Sequence, residues 1–163
     1  QLGEHARRLL SVALKQRRLA AVLVLDLDGF KEINDLFGHS YGDGLLKRVA
    51  LRLSGVLRDY DVVARTGGDE FVVLLPEIEQ PSVAMVVAEK LIAAASENVE
   101  NLGRSLRLHA SVGVALFPGD GQDFETLLAA ADSAMYGAKA AGKNRYQLAA
   151  ETGQGRHEAL RAS

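Results

Sequence analysis

Residues 20–26 read Ala-Ala-Val-Leu-Val-Leu-Asp, an unbroken apolar run closed by a carboxylate. The run has neither the period of an amphipathic helix nor the alternation of a strand with one wet face. It predicts a central strand buried on both faces, which suits so short a segment better than a helix does. Such a strand needs a sizeable core around it. With 163 residues, 48% of them apolar and only 3 prolines, the chain makes one globular domain, and at this mass about 69% of its surface is buried on folding. Having no cysteine, the chain excludes disulfides, zinc knuckles and thiol catalysis.

Around the central run the remaining elements fall into order. Helical spacing marks residues 2–18, which open without a cap as in a module cut from a longer protein, and residues 30–37, stopped by Gly38. It also marks residues 42–57, a helix begun by Pro81-Ser82, and residues 124–141. Two β-rich runs, 62–65 and 71–75, flank Gly67-Gly68-Asp69, which has the composition of a tight hairpin turn demanding positive φ, and Pro76 is expected to end the second run. From residue 106 to 114 the period becomes two: Leu106, Leu108, Ala110, Val112 and Val114 face the core, Arg107, His109 and Ser111 the other side. Gly142 leads into a last short strand at 145–148, and residues 149–163 read as a polar tail or linker.

Strand, helix, strand, strand, helix, strand is the split βαβ of a ferredoxin-like sheet. The predicted class is therefore α+β: a ferredoxin-like βαββαβ fold over residues 1–148, with an N-terminal helix and an extra C-terminal helix and strand. In that topology the first strand pairs antiparallel with the third, which brings Asp26 and Asp28 beside Asp69 and Glu70. Four carboxylates at one sheet edge repel unless a cation lies between them, and a hard divalent ion with oxygen ligands, magnesium first, does this best. A metal held so can bridge phosphate oxygens, acidify a hydroxyl and stabilise in-line displacement at phosphorus.

Other residues fit a nucleotide. Gly67 and Gly68 leave room for close approach of a ligand. Lys31 follows the acidic strand end, and Lys139 and Lys143, four apart, are expected on one helix face as phosphate partners. Asn34 and Asp43 have the donors and acceptors to read a guanine edge. Residues 137–144, Gly-x-x-x-x-Gly-Lys-Asn, fall short of a P-loop, because Asn144 replaces the magnesium-binding hydroxyl and the segment ends a helix. The four histidines, His5, His39, His109 and His157, lack ligand spacing. With 19 basic and 21 acidic residues and no basic stripe, nucleic-acid binding is disfavoured. The apolar runs are too short for a bilayer and the N-terminus lacks a signal-peptide pattern, so any membrane attachment is expected outside this chain.

Gly67-Gly68-Asp69-Glu70-Phe71 is the signature of the GGDEF family of diguanylate cyclases, and the chain resembles that family over about residues 1–148. Residues 26–35, Asp-Leu-Asp-Gly-Phe-Lys-Glu-Ile-Asn-Asp, with Gly38-His39 and Gly42-Asp43, look like its first active-site segment. Ser111-Val112-Gly113-Val114-Ala115, Ala131-Asp132-Ser133-Ala134-Met135-Tyr136, Ala138-Lys139 and Gly142-Lys143-Asn144-Arg145-Tyr146 resemble its C-terminal blocks. The resemblance implies a domain related to the palm of nucleotide cyclases and polymerases, which condenses two GTP into cyclic di-GMP and releases pyrophosphate.

By position, the resemblance implies that Asp26 and the Leu27 carbonyl hold magnesium (or manganese) with Asp69 or Glu70, and that Asp69 and Glu70 also activate the 3′-hydroxyl. Asn34 and Asp43 would recognise guanine; Phe30, Lys31, Lys139 and Lys143 would serve the β- and γ-phosphates, and Gly67 and Gly68 line the substrate site. Lys143 stands where many relatives have arginine, which keeps the charge but gives up bidentate geometry. The family's opening Asp-x-Leu-Thr-Gly-Leu-x-Asn-Arg segment and a preceding sensory domain are absent from this sequence. The implied setting is a cytoplasmic domain of a larger sensor, membrane-anchored or not, active as a homodimer. A binding module that senses GTP or cyclic di-GMP without catalysis is the rival reading, and the intact carboxylate and glycine set favours catalysis. Arg58-x-x-Asp61, ending five residues ahead of the glycine pair, resembles the family's inhibitory site for cyclic di-GMP, with Arg65 a further candidate.

Overall fold

The fold is organised around one strand whose residues Ala20–Leu25 are wholly without solvent exposure. The structure, a computed structural model, describes residues 1–151; the tail expected over 149–163 lies outside the described residues from 152 onward, as does His157. In chain order the elements are α1 (Leu2–Lys15), β1 (Leu19–Asp28), α2 (Phe30–Phe37), α3 (His39–Val56), β2 (Val62–Arg65) and β3 (Glu70–Ile78), then α4 (Pro81–Ala95), β4 (Glu97–Asn101), β5 (Arg104–Phe117), α5 (Phe124–Ala140) and β6 (Arg145–Leu148). The sheet runs β2-β3-β1-β5-β4, with β6 parallel to β5. As expected, β1 is central and antiparallel to β3, with Asp26 opposite Glu70. On its other edge β1 is antiparallel to β5, with Asp26 opposite Ser111.

Alternate side chains of β1 serve two cores. Leu23, Leu25 and Leu27 pack with Phe71 and Val73 beneath Leu45, Val49 and Leu53 of α3 and Ala84, Ala88 and Leu91 of α4. Val22 and Val24 pack with Val72 and Leu74 against Ala6 and Leu10 of α1 and Leu127, Ala131 and Met135 of α5. Burial on both faces is why the run shows no alternation. The same holds for β5 from Ala110 to Ala115, so Ser111, on the face opposite the leucines, is also buried, against α5.

Four expectations need correction. Pro76 does not end β3, because β2 pairs with it only as far as Leu74 and the β1 register is irregular between Leu19 and Ala21. The proline thus falls at a bulge, where its missing N–H breaks no regular ladder. Neither Gly67 nor Gly68 has a positive φ; the β2–β3 connection closes with the Thr66 amide donating to the Glu70 carbonyl at 3.0 Å. Helix α3 starts at His39 rather than at residue 42, because Gly38 (φ 94°, ψ 159°) turns the chain from α2 directly into it. Strand β4 was not expected: its two-residue hairpin to β5 puts Leu102 (φ 52°) and Gly103 (φ 76°) in left-handed conformations, and leucine gives no turn signal there.

Among the described residues no helix is long and apolar enough to cross a membrane. Gly113 sets how closely α5 lies on the sheet, since a Cβ there would overlap the Ala131 carbonyl oxygen and the Met135 amide nitrogen, both backbone atoms. Gly113→Ala must lift α5. We expect it to cost about 1–3 kcal/mol as an overpacked core does, read as a lower midpoint in equilibrium denaturant unfolding; an unchanged midpoint would show that α5 is not seated on this glycine.

Candidate active site

The C-terminal end of β1 carries Asp26 and Asp28 on the face toward α5, two residues apart in a strand. The loop before β3 is tied to this end by the Leu27 amide, which donates to the Asp69 carbonyl at 3.0 Å. Asp28 is buried and both its oxygens are taken: Oδ2 accepts from Ser111 Oγ at 2.6 Å and Oδ1 from Lys139 Nζ at 3.0 Å. The same ammonium lies 3.3 Å from Asp26 Oδ2. Asp26 Oδ1, in contrast, is buried without a hydrogen-bond partner.

Burial pushes the Asp26 carboxyl above its ordinary value, the Asp69 charge adds to this, and Lys139 pulls it partly back. Glu70 is raised by burial and then by the negative charges of Asp132, Asp26 and Asp69. Burial works against the charge of Lys139, but its hydrogen bond to Asp28 and the attraction of Asp26 and Asp28 outweigh that and raise its pKa. The site is thus an excess of negative charge only partly neutralised by one lysine. Among the described residues no three histidine or acidic side chains converge as a ready metal cage. A divalent ion nevertheless fits the donor chemistry: a desolvated Asp26 oxygen without a partner, beside two further carboxylates, offers hard oxygen ligands, and magnesium completes its shell with phosphate oxygens and water.

The opposite face of the same end holds a cavity of about 550 Å³ lined by Asp43, Leu46, Lys47, Ala50, Arg65 and Phe71, among others. Gly42 lets α3 press on α2, so that a Cβ there would overlap the Asn34 Oδ1; Asp43, the next residue, lines the cavity. The Asn34 amide meets His39 Nδ1 at 2.8 Å. Phe30 is buried and Lys31 exposed at the start of α2. Gly29 precedes them at φ 91°, where a Cβ would stand 3.0 Å from the Arg107 carbonyl oxygen. Between the two faces, Gly67 and Gly68 border open space: a Cβ at Gly68 would meet nothing within 4 Å, and one at Gly67 only the Glu70 Cβ at 3.7 Å.

Two expected groupings do not form. Lys143 is not on a helix face with Lys139, because α5 ends at Ala140 and Gly142, Lys143 and Asn144 all have positive φ. The Lys143 amide caps the helix by donating to the Ala138 carbonyl at 3.0 Å. Arg65 stands apart from Arg58 and Asp61, at the far end of β2, where it donates to the Gly68 carbonyl at 3.3 Å. Arg58 and Asp61 do form a unit: Asp61 Oδ2 accepts from the Arg58 amide at 2.9 Å and from Nε at 3.2 Å. Arg58 Nη2 also donates to the Glu77 carbonyl at 2.9 Å, and the guanidinium lies over the Tyr60 ring. A cavity of about 320 Å³ opens beside the pair, lined also by Gln80, Ser82, Val83 and Lys90. Sequence reasoning gave no role to Ser111 or Asp132. A lone hydroxyl in an apolar strand was the signal for Ser111; Asp132 becomes Glu70's neighbour only through the docking of α5.

Over residues 1–145 the sequence matches the family described as diguanylate cyclase, GGDEF domain. The chain belongs to the GGDEF family. This GGDEF domain is 44% identical over 145 residues to MucR of Pseudomonas aeruginosa, a bifunctional diguanylate cyclase/cyclic di-GMP phosphodiesterase, covering 89% of this chain and 21% of MucR. The chain therefore spans about a fifth of that relative's length. The GGDEF domain of TpbB (YfiN) from P. aeruginosa superposes with a TM-score of 0.85 at 38% identity, covering 91% of this chain and 87% of that one. The GGDEF domain of DgcB from Caulobacter crescentus, solved in complex with c-di-GMP, has a TM-score of 0.78 at 28% identity, over 90% and 86% of the two chains. The mixed α+β, palm-like fold of these domains is the fold of this chain.

Because Asp26 and Glu70 keep their protons to higher pH when folded than when unfolded, their contribution to stability is complete below the ordinary values of 3.8 and 4.5. It is lost as pH rises through the folded-state values. In metal-free buffer at neutral pH, Glu70→Gln should therefore melt above wild type, by about 1–4 °C, and the gap should close as pH falls toward 4.5. Thermal melts across that range check the sign; a Glu70→Gln protein that melts lower at neutral pH would contradict it.

Proposed function

We propose that this GGDEF domain, over residues 1–148, is a diguanylate cyclase that condenses two GTP into cyclic di-GMP, as a signalling domain of a longer protein with sensory or effector domains flanking it. The observation that carries the reading is the unpartnered, buried Asp26 oxygen beside Asp69 and Glu70, with a cavity roomy enough for a nucleoside across the strand end. Asp43 and Asn34 would read the base: a carboxylate accepts from N1–H and N2–H₂, and an amide both donates and accepts. Gly67 and Gly68 leave the chain's own space open for the nucleotide.

Asp26, the Leu27 carbonyl and Asp69 or Glu70 would hold a divalent ion, magnesium or manganese, which when bound lowers the pKa of the attacking hydroxyl and neutralises charge on the phosphates. The raised Glu70 carboxyl is suited to take the proton from a 3′-hydroxyl. The hydroxyl oxygen forms a bond to the α-phosphorus of the other nucleotide, the bond to the bridging oxygen breaks, and pyrophosphate leaves. The same exchange in the other direction closes the ring. Lys31, Lys139 and Lys143 bring positive charge for the phosphates. Since each domain offers one such site, two protomers must face each other. Arg58 and Asp61 are proposed to bind the product for feedback control, a reading supported by a related GGDEF domain, that of DgcB, having been solved in complex with c-di-GMP; guanine would displace part of the intramolecular Arg58–Asp61 pairing.

Incubation with GTP and magnesium, with products identified by mass, tests the assignment. Cyclic di-GMP should form with a specific activity that rises with protein concentration, and Glu70→Ala should lower the rate by at least about 100-fold while the protein stays folded. GTP binding without any product would instead make the domain a silent sensor. For the control site, calorimetric titration of cyclic di-GMP should show Arg58→Ala binding about tenfold more weakly or worse; equal affinity would remove Arg58 from that role.

A further inference from the structure

We infer that Asp28 is not a ligand of the divalent ion but a positioning residue, which, fixed by Ser111, seats the Lys139 ammonium where the triphosphate binds. The inference rests on the proposed nucleotide site and adds a division of labour within it. The two acidic residues of Asp26-Leu27-Asp28 look interchangeable in sequence, yet the fold treats them differently. Asp26 keeps one oxygen free of partners. Asp28 has a partner on each oxygen, Ser111 Oγ at 2.6 Å on one and Lys139 Nζ at 3.0 Å on the other.

The register explains the difference. Ser111 stands opposite Asp26 and His109 opposite Asp28, so the serine hydroxyl reaches Asp28 along the diagonal of the β1–β5 pair, a reach open to side chains on one face. Ser111 is fully buried and Asp28 is 5% exposed, which makes their bond a fixed feature of the sheet. A lysine side chain has many rotamers and, left alone, would extend its ammonium into water. Gly113 brings α5 onto the sheet, Lys139 descends from it at the β1 end, and the desolvated Asp28 carboxylate holds the charge in place. Asp26 then shares the ammonium through its other oxygen, at 3.3 Å. Asp28 therefore acts on the nucleotide through Lys139.

A double-mutant cycle separates this from a role in metal binding. The probe is 3′-deoxy-GTP with magnesium, which offers triphosphate and base but no attacking hydroxyl, titrated calorimetrically into wild type, Asp28→Asn, Lys139→Met and the double variant. Asp28→Asn should weaken binding about tenfold, the scale of a desolvated charge-assisted pair. Lys139→Met should weaken it at least as much, and adding Asp28→Asn to Lys139→Met should change nothing further. Ser111→Ala, which keeps both charges, should weaken binding about threefold in the wild-type background only, and it carries the same test if Asp28→Asn fails to fold. Additive losses would mean that Asp28 acts independently of Lys139, as a metal ligand would, and would overturn the inference. So would an Asp28→Asn protein that binds like wild type. If wild type itself fails to bind the analogue, the nucleotide site falls and this inference with it, whereas normal wild-type binding with additive variants sinks the inference alone.

Discussion

Lys139 lies 3.0 Å from Asp28 and 3.3 Å from Asp26, and the functional end of the sheet depends on that ion pair because β1 leaves its carboxylates little water. Two residues that alternate to the same face of a doubly covered strand must both be buried against α5. Two desolvated carboxylates of like charge would otherwise drive each other toward the protonated form. One ammonium shared between them, with Ser111 completing the shell of Asp28, lets the sheet end close while leaving Asp26 and Glu70 under-compensated. Their pKa values are raised first by burial and then by neighbouring carboxylates, which Lys139 offsets only in part. Stability and cation affinity thus pull against each other at one place, as a site built to receive positive charge requires.

The backbone approach that makes this possible is set well away from the carboxylates. Gly113 allows α5 to lie directly on β5, and from that contact the helix carries Asp132 toward Glu70 and Lys139 toward Asp26. On the other face Gly42 does the same for α2 and α3, letting Asn34 and Phe30 of α2 pack against the start of α3. Each glycine removes a side chain between packed elements and so fixes a distance in the site. The carboxylate cluster and the cavity lined by Asp43 are built on opposite faces of one sheet and meet only at its end, across Gly67 and Gly68, where the chain fills no space of its own.

What the sequence disclosed follows from how local its causes are. The apolar run of β1, the helical spacing of α3, α4 and α5 and the stop at Gly38 all record burial along a single element, and each was legible. The antiparallel pairing of β1 with β3, and so the meeting of Asp26 with Glu70, followed from element order. Features fixed by contact between distant elements were not legible. Nothing in Leu102 announces a hairpin, because its left-handed backbone is imposed by the pairing of β4 with β5. The spacing of Lys139 and Lys143 suggests one face, but where α5 ends is decided by Gly142 and the two positive-φ residues after it. Asp28 and Asp26 have the same local pattern, and only Ser111 and α5 distinguish them.

The Arg58–Asp61 unit, which the proposed reading makes a second site, is built apart from the carboxylate cluster. Asp61 Oδ2 caps the Arg58 amide and also accepts from its guanidinium, so the carboxylate is neutralised inside the chain. The arginine is held by the Glu77 carbonyl on β3 and by the Tyr60 ring. Because the unit is anchored to the far end of β3 from Glu70, a ligand that rearranged it would not touch the carboxylates. On the proposed reading it need not do so. On that reading, a reaction that requires two domains face to face would be stopped by holding them apart, and the sheet between the two places would let product bind at one end while the carboxylates at the other end stay as they are.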